Sequence, residues 1–496
     1  MSDAPAEPSC HLVAAPDPAL AERLLRAAPF AARRAGRTRG GAVALTWLDT
    51  AGGALAAGGL ALEQGRRGSL RLLRALPEAD AGWRPGAPDP LVALLAPGEA
   101  PEEAGGAPLV PLAAFEGRRS CVSLAGGVEA VLLSGRLRAV AAEAPVARLT
   151  LSGPRGAVLE VMAAAAAEMP LLPARVALAE EARALALGEP PRPRRAGAPR
   201  LDPDLGVEAA LVLALGHLAE VLLWHAPVAE AGQDPTGVHQ MRVALRRLRS
   251  LLRAFRPAAD GPALRRCDGA LKGLAAVLGP ARDWDVWIGG LGADIAAALP
   301  EERRIAALLR AARDRREAAY GALRATLRGA EFRALAWDLV ALAETRPWRM
   351  EDDPKAAGTR DLPLPDFAAG VLARRWKRLA EAGTRIDALP DAEFHALRLD
   401  GKRMRYVAEL FAPLWGRRKG RRFLKRLAAV QEEFGLANDT AVARGLVGPL
   451  AGGGAGTAWA VGVAEGWALA RARHARGRAA SAWAELMDAD PFWEAG

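Results

Sequence analysis

Cysteine is nearly absent: Cys10, Cys121 and Cys267 stand far apart and form no CxxC pair. An odd count at such spacing argues against a disulfide framework or a cysteine-based zinc site, and it fits a reducing cytoplasm. Tyrosine is scarcer still, with 2 in 496 residues, and aromatics make up 5%. Proteins that stack single-stranded bases interleave exposed aromatics with cations, so that mode has little to work with here. The N-terminus has no basic start followed by an apolar run, so no signal peptide is read. The most apolar stretch, residues 205–224, contains Glu208, His217 and Glu220. It reads as a core helix rather than a membrane span, and no membrane partner is expected.

Positive charge is what the chain has. Lys and Arg number 67 against 57 Asp and Glu, for a net charge of +10. A basic balance favours anionic partners through long-range attraction. Ala, Arg, Gly and Leu dominate while Lys is scarce, a skew that fits a GC-rich genome and discounts arginine abundance alone.

One basic pattern occurs twice. It reads His239, Arg242, Arg246, Arg247, Arg249, then His395, Arg398, Lys402, Arg403, Arg405. Both copies place basic residues three, seven, eight and ten positions after the histidine. At about 100° per residue, all but the eighth-position arginine fall in one stripe of roughly 15 Å along a helix. Like charges at this spacing repel. At ~6 Å a pair costs about 3 kcal/mol at an effective dielectric near 20, and about 0.7 kcal/mol in water. A stripe built twice needs something to offset that repulsion, and a long polyanion is the simplest candidate. The guanidinium fork suits phosphate because it donates two parallel hydrogen bonds. A divalent metal at the histidines is electrostatically poor, because the neighbouring cations oppose it. No metal or cofactor is expected.

At this length two or more domains are expected. Residues 188–203, rich in Pro and Arg, read as a linker because proline at that density cannot continue a helix. Residues 1–187 mix short elements, with strands expected over 42–48, 70–76, 128–133 and 147–151 and helices over 20–28, 158–168 and 174–186. Residues 82–111 read as loop. Residues 204–490 read as helical throughout, because apolar residues recur at three and four. Repeats are expected over about 204–345 and 360–490. The repeat extends past the stripes: Lys272 matches Lys425, and Gly279, Arg282 and Asp283 match Gly435, Asn438 and Asp439. Asp283 and Asp439 start the helices that follow the glycine turns, where they are expected either to cap those helices or to orient stripe arginines through ion pairs.

The carrying segments VHQMRVALRRLRSLLRAFRP (238–257), LGPARDWDV (278–286), FHALRLDGKRMRYVAELF (394–411) and FGLANDTAVA (434–443) resemble the CHAD family, the conserved histidine α-helical domain. The resemblance implies two pseudo-symmetric four-helix bundles and a basic groove that binds inorganic polyphosphate, with family members linked to polyphosphate granules. It carries a binding role to His239, Arg242, Arg246, Arg249, Lys272, His395, Arg398, Lys402, Arg405 and Lys425. The two histidines are open between phosphate contact and a structural role.

The N-terminal part resembles the CYTH β-tunnel triphosphatases, on the segment LDTAGGALAAGGLAL (48–62) and on the fusion order. That family's opening Glu-x-Glu-x-Lys is met here by Glu7, Ser9 and His11, its Arg-x-Arg by Glu63 and Gly65, and its later acidic strand by residues 147–151 with no carboxylate. Metal-assisted phosphoryl hydrolysis needs oxygen ligands and phosphate-binding cations. The expected architecture is therefore a degenerate CYTH-like α+β domain without catalytic residues, followed by an all-α domain. Polyphosphate binding ranks first. A metal-dependent triphosphatase and non-specific nucleic-acid binding are the alternatives.

Overall fold

The computed structural model describes residues 8–76, 83–351, 353–384, 386–472 and 475–494. Glu7 and His474 lie outside the described residues. Eight strands form one antiparallel sheet: β1 (Ser9–Ala14), β2 (Arg39–Thr50), β3 (Leu60–Gln64), β4 (Leu70–Arg74), β5 (Leu91–Leu95), β6 (Leu109–Leu124), β7 (Val128–Arg138) and β8 (Glu143–Pro154). Their order is β1-β8-β7-β6-β2-β3-β4-β5. Short helices α1 (Ala21–Leu24), α2 (Ala28–Ala31) and α3 (Ala54–Ala57) lie between strands, and α4 (Arg155–Glu168) and α5 (Leu178–Leu187) follow the sheet. Then come α6 (Val207–Ala231), α7 (Pro235–Ala254), α8 (Pro262–Trp287), α9 (Ala293–Ala298), α10 (Arg303–Arg328) and α11 (Ala330–Thr345). The chain continues through α12 (Pro354–Arg360), α13 (Leu364–Ala382), α14 (Asp391–Phe411), α15 (Arg417–Val447), α16 (Ala455–Ala472) and α17 (Ala475–Met487).

The residues gather into two compact units. One comprises Met1–Ala196 with Leu215–Trp224 and Arg328–Pro347, and the other Gly197–Ala214, His225–Leu327 and Trp348–Gly496.

In the first unit the sheet curls into a half-barrel. Gly117 and Gly135 face each other across β6 and β7. A Cβ on either would lie 2.3 Å from a carbonyl oxygen of the opposite strand. The two backbones therefore approach where no side chain fits, and glycine kinks of this kind let a sheet bend. One core sets Leu12, Ala130, Leu149 and Leu151 of the sheet against Val158, Val161, Met162 and Ala165 of α4. Trp337 and Val340 of α11 join it, and Trp337 Nε1 donates to the Leu171 carbonyl at 3.0 Å. A second core packs Ala179 and Ala182 of α5 on Trp47, Phe115, Leu137 and Val146.

The four expected strands are present as β2, β4, β7 and β8, with different ends. Strands β1, β3, β5 and β6 had no clear signal. β6 carries Pro111, Glu116, Gly117, Arg118 and Arg119, and β5 lies within the stretch expected as loop. Pairing to β7 and β2 for one, and to β4 for the other, makes them strands. Such non-local pairing overrides weak local propensity. The Pro/Arg-rich stretch 188–203 is partly buried: Arg194 bonds Asp89 at 2.8 Å and Arg192 bonds Glu180 at 2.7 Å.

In the second unit, α7 forms because Val238, Met241, Leu245, Leu248 and Leu252 recur on one buried face at the spacing of a helix. Asp234 caps it by accepting from the Thr236 amide at 2.8 Å, and Pro235 occupies its first turn. Gly232 closes α6 at φ 72°, a left-handed geometry that glycine adopts without a Cβ clash. α14 buries Phe394, Leu397, Met404, Val407 and Phe411 in the same manner. Helix α6 is long and apolar enough to cross a membrane by length and composition, but 78% of its most apolar stretch is buried inside the protein.

The expected N-cap role of Asp283 is corrected. Helix α8 runs unbroken from Pro262 to Trp287 through Gly279 and Pro280, so Asp283 sits in its interior. A mid-helix proline costs about 3 kcal/mol. Leu278, Ala281 and Trp284, all buried around it, offset that loss. Position 439 is likewise interior to α15, and the Asp439 side chain lies outside the described residues.

Glu220 generates a stability prediction for the first unit. Its carboxylate accepts from Trp83 Nε1 at 3.3 Å and lies 3.9 Å from Arg194. Burial outweighs these partners and pushes its pKa up to about 7 from 4.5. Stability from the neutral form is complete below pH 4.5 and is lost as pH rises through 7. Glu220→Gln is expected to raise the unfolding free energy at pH 8 by about 3 kcal/mol, at about 1.4 kcal/mol per pKa unit. Thermal melts at pH 5 and pH 8 check this. A Tm gain that is no larger at pH 8 than at pH 5 overturns it.

Candidate anion-binding site

Both basic stripes lie on helices, and the two helices pack together. His239, Arg242, Arg246 and Arg249 project from α7, and His395, Arg398, Lys402 and Arg405 from α14. Arg246 places its guanidinium 5.7 Å from the ring of Tyr406 on α14. Arg247 of α7 donates to Glu409 of α14 at 2.9 Å. The two helices thus meet along their charged edges rather than through apolar side chains alone. Lys272 on α8 and Lys425 on α15 are exposed and make no ion pair or hydrogen bond among the described residues.

The stripe on α7 divides by its neighbours. Arg249 donates to Asp268 of α8 at 2.7 Å, and Arg405 of α14 donates to Glu409 at 2.7 Å. These two guanidiniums already have carboxylate partners. Arg242 and Arg246 do not pair with any carboxylate among the described residues. Arg242 is partly buried, and its NH1 lies 3.4 Å from the place a Cβ would take on Gly279. Burial and the charge of Arg246 pull its pKa below the ordinary arginine value. The Nε of Arg246 is buried and has no hydrogen-bond partner. An unmade bond of this kind costs about 1–3 kcal/mol.

His239 belongs to the same cluster. Burial first, then the charges of Arg282, Arg246 and Arg242, hold its pKa below the ordinary 6.5. It is neutral at pH 7 and has a proton to donate from one ring nitrogen. Arg282, on α8, completes the cluster. The repeat comparison had singled it out as a matched position without giving it a role. His395 is exposed at the start of the second stripe, and Arg398 and Lys402 are partly buried.

Sequence reasoning also stopped the first stripe too early. Arg253 and Arg256 continue it at the next two helical steps. The second copy has Glu409 and Ala412 at those offsets, so repetition does not mark them. Arg253 and Arg256 line a cavity of about 420 Å³ with Arg374, Arg375 and Arg378 of α13 and Arg403 of α14. The α13 arginines belong to no repeated motif, so only packing reveals them. Among the described tryptophans, Trp284 and Trp287 are buried and meet edge to face at 6.2 Å. They are packing residues.

In the first unit the residues of the β2–β3 segment have structural partners. Asp49 accepts from the amides of Thr50, Leu55 and Ala56 at 2.7–3.0 Å and so caps α3. Glu63 accepts from Arg71 at 3.2 Å. Among the described residues, no three His, Cys, Asp or Glu side chains gather as a metal site.

The family model described as the CHAD domain matches residues 213–448. The crystal structure of the CHAD domain from the plant Ricinus communis is 30% identical, with a TM-score of 0.50. The match covers 59% of this chain and 96% of that one. A structure of PptA from Streptomyces chartreusis matches at 18% identity and a TM-score of 0.44, over 56% of this chain and 100% of that one. No curated protein matches. With the doubled histidine–arginine helices in place and nearly the full length of the Ricinus domain covered at that identity, this chain belongs to the CHAD family.

Proposed function

We propose that the second unit binds inorganic polyphosphate along the basic edges of α7 and α14. The observation that carries this reading is the Arg242–Arg246 pair. Two partly buried guanidiniums stand side by side with no carboxylate partner among the described residues, and one keeps a buried donor unused. Repulsion of this kind is relieved by an anion that contacts both at once. A phosphate chain presents oxygens at every unit and gains further from counterion release. The family is linked to polyphosphate binding, which supports the same ligand.

In this reading the two like halves form pseudo-symmetric bundles, and His239, Arg242, Arg246, Arg398 and Lys402 contact the strand. Arg249 and Arg405, already paired with acids, position the helices and supply field. Lys272 and Lys425 are mobile cations at its margins. The first unit is a degenerate CYTH-like scaffold without hydrolytic activity. Asp49 and Glu63 are engaged in a cap and an ion pair, which supports that role. The protein acts in the cytoplasm, at polyphosphate granules. Nucleic acid ranks behind polyphosphate because, among the described residues, the cation–ring contact of the stripes is that of Arg246 with Tyr406.

Filter binding with long-chain polyphosphate tests the reading on the full chain. Replacing Arg242, Arg246, Arg398 and Lys402 together by Ala is expected to weaken binding by about 100-fold or more, since each charged hydrogen bond contributes about 1.5–3 kcal/mol. Unchanged affinity sinks the proposal. Nucleic acid winning a competition at equal phosphate concentration would replace the ligand.

Proton linkage gives a second check. Arginine charges help hold the His239 pKa down in the free protein. A bound polyanion cancels their opposition, so the pKa rises on binding toward or above the ordinary value and a proton is taken up in the mildly acidic range. Calorimetry at pH 6 in buffers of different ionisation enthalpy should show that uptake, and His239→Gln should reduce it. Uptake that is the same in His239→Gln would assign it elsewhere.

A further inference from the structure

The two copies of the basic pattern part company where α7 meets α14. Arg247 and Arg403 both stand eight positions after their histidine, and Arg253 and Glu409 both stand fourteen after it. At one contact Arg247 donates to Glu409 at 2.9 Å, and the charges cancel. At the matching contact the acid is replaced by Arg253, and Arg253 and Arg403 line one open cavity. A single exchange of acid for base therefore turns an ion pair into a basic pocket on one side only.

The charge balance in that pocket is lopsided. Six arginines line it, with Asp400 as the one acidic residue among them. Asp400 is shared, at 2.6 Å from Arg403 and 3.6 Å from Arg378. Asp268 reaches Arg253 at 3.5 Å but is held more closely by Arg249 at 2.7 Å. Arg256, Arg374 and Arg375 form no ion pair within 4 Å among the described residues, although Asp260 acts on Arg256 and Asp400 on Arg375 at longer range. Arg375 is partly buried, and burial together with the charges of Arg403 and Arg253 pulls its pKa down. Val371, Met404 and Pro257 give the pocket an apolar lining, which lowers the local dielectric and strengthens the field on a bound anion. Guanidiniums from three helices point at one volume of about 420 Å³. That arrangement suits a compact, multiply charged anion, whereas a stripe suits an extended one.

We propose that this one-sided cavity is a separate anion site that takes a compact oligophosphate, either free or as the end of a longer chain. It rests on the reading that the second unit binds condensed phosphate, but it assigns a second location with its own residues. The end of a strand carries more charge per phosphate than its middle, and six converging cations favour it.

Titration calorimetry of the full chain with inorganic tripolyphosphate and with long-chain polyphosphate tests the site. Tripolyphosphate is expected to bind with one site per chain. Arg253→Glu restores the acid that the second copy has at this offset and reverses one of the six cavity charges, and it should lower tripolyphosphate affinity at least tenfold. The exposed pair Arg374→Ala with Arg378→Ala should do the same with an unchanged Tm, which separates loss of the site from loss of the fold. Both variants should weaken long-chain binding by a smaller factor. Tripolyphosphate affinity that survives both variants overturns the proposal. Long chains binding while tripolyphosphate does not also overturns it, and leaves the stripe reading standing. Failure of both probes ends both readings.

Discussion

Repulsion between like charges held on two packed helices is the interaction around which the second unit is organised. α7 and α14 bury ordinary apolar faces, and that burial fixes their basic edges against one another. The charges cannot move apart without unpacking Leu245, Leu248, Met404 and Val407. Each guanidinium then has three ways to be stabilised: an acid from a neighbouring helix, an aromatic face, or a ligand. Arg247, Arg249 and Arg405 take the first, through Glu409 and Asp268. Arg246 takes the second in part, over Tyr406. Arg242 and Arg375 form no ion pair among the described residues, although Asp283 acts on Arg242 and Asp400 on Arg375 at longer range.

The ion pairs Arg247–Glu409 and Arg249–Asp268 tie α7 to its neighbours. On the proposed reading, the cations without such pairs are held in place before an anion arrives, so little side-chain entropy would be lost on binding. Burial first, then the charges of Arg282, Arg246 and Arg242, keep His239 neutral at pH 7, so it adds no further repulsion to the cluster. In the first unit the buried charges are resolved differently. Arg192 and Arg183 are matched to the buried Glu180, and Arg194 to Asp89, and Trp337 and Val340 of α11 join the core beneath the sheet.

Much of the helical unit was legible in the chain. The recurrence of Val238, Met241, Leu245, Leu248 and Leu252 at helical spacing specified α7 and its buried face, and the matched histidines and arginines specified a second helix of the same kind. The sheet was half legible. β2, β4, β7 and β8 carry β-branched and leucine runs, while β6, with Glu116 to Arg119 at its centre, is a strand only because β2 and β7 flank it. Helix ends at Gly279 and Gly435 were misread for the opposite reason. At Gly279 the local breaker lost to the burial of Leu278 and Ala281 on either side of it and Pro280.

What the sequence determined by itself is the identity and spacing of the cations, because helical periodicity converts spacing directly into a face. What only the tertiary structure decided is which of those cations keep their charge available. That depends on whether an acid from another element, such as Asp268 on α8 or Glu409 on α14, lies within reach of a given guanidinium. It also brought Arg374, Arg375 and Arg378 of α13 to the end of the α7 stripe. Ion pairing falls off over a few ångströms, and distances of that order between separate helices are set by how the cores pack, not by position along the chain.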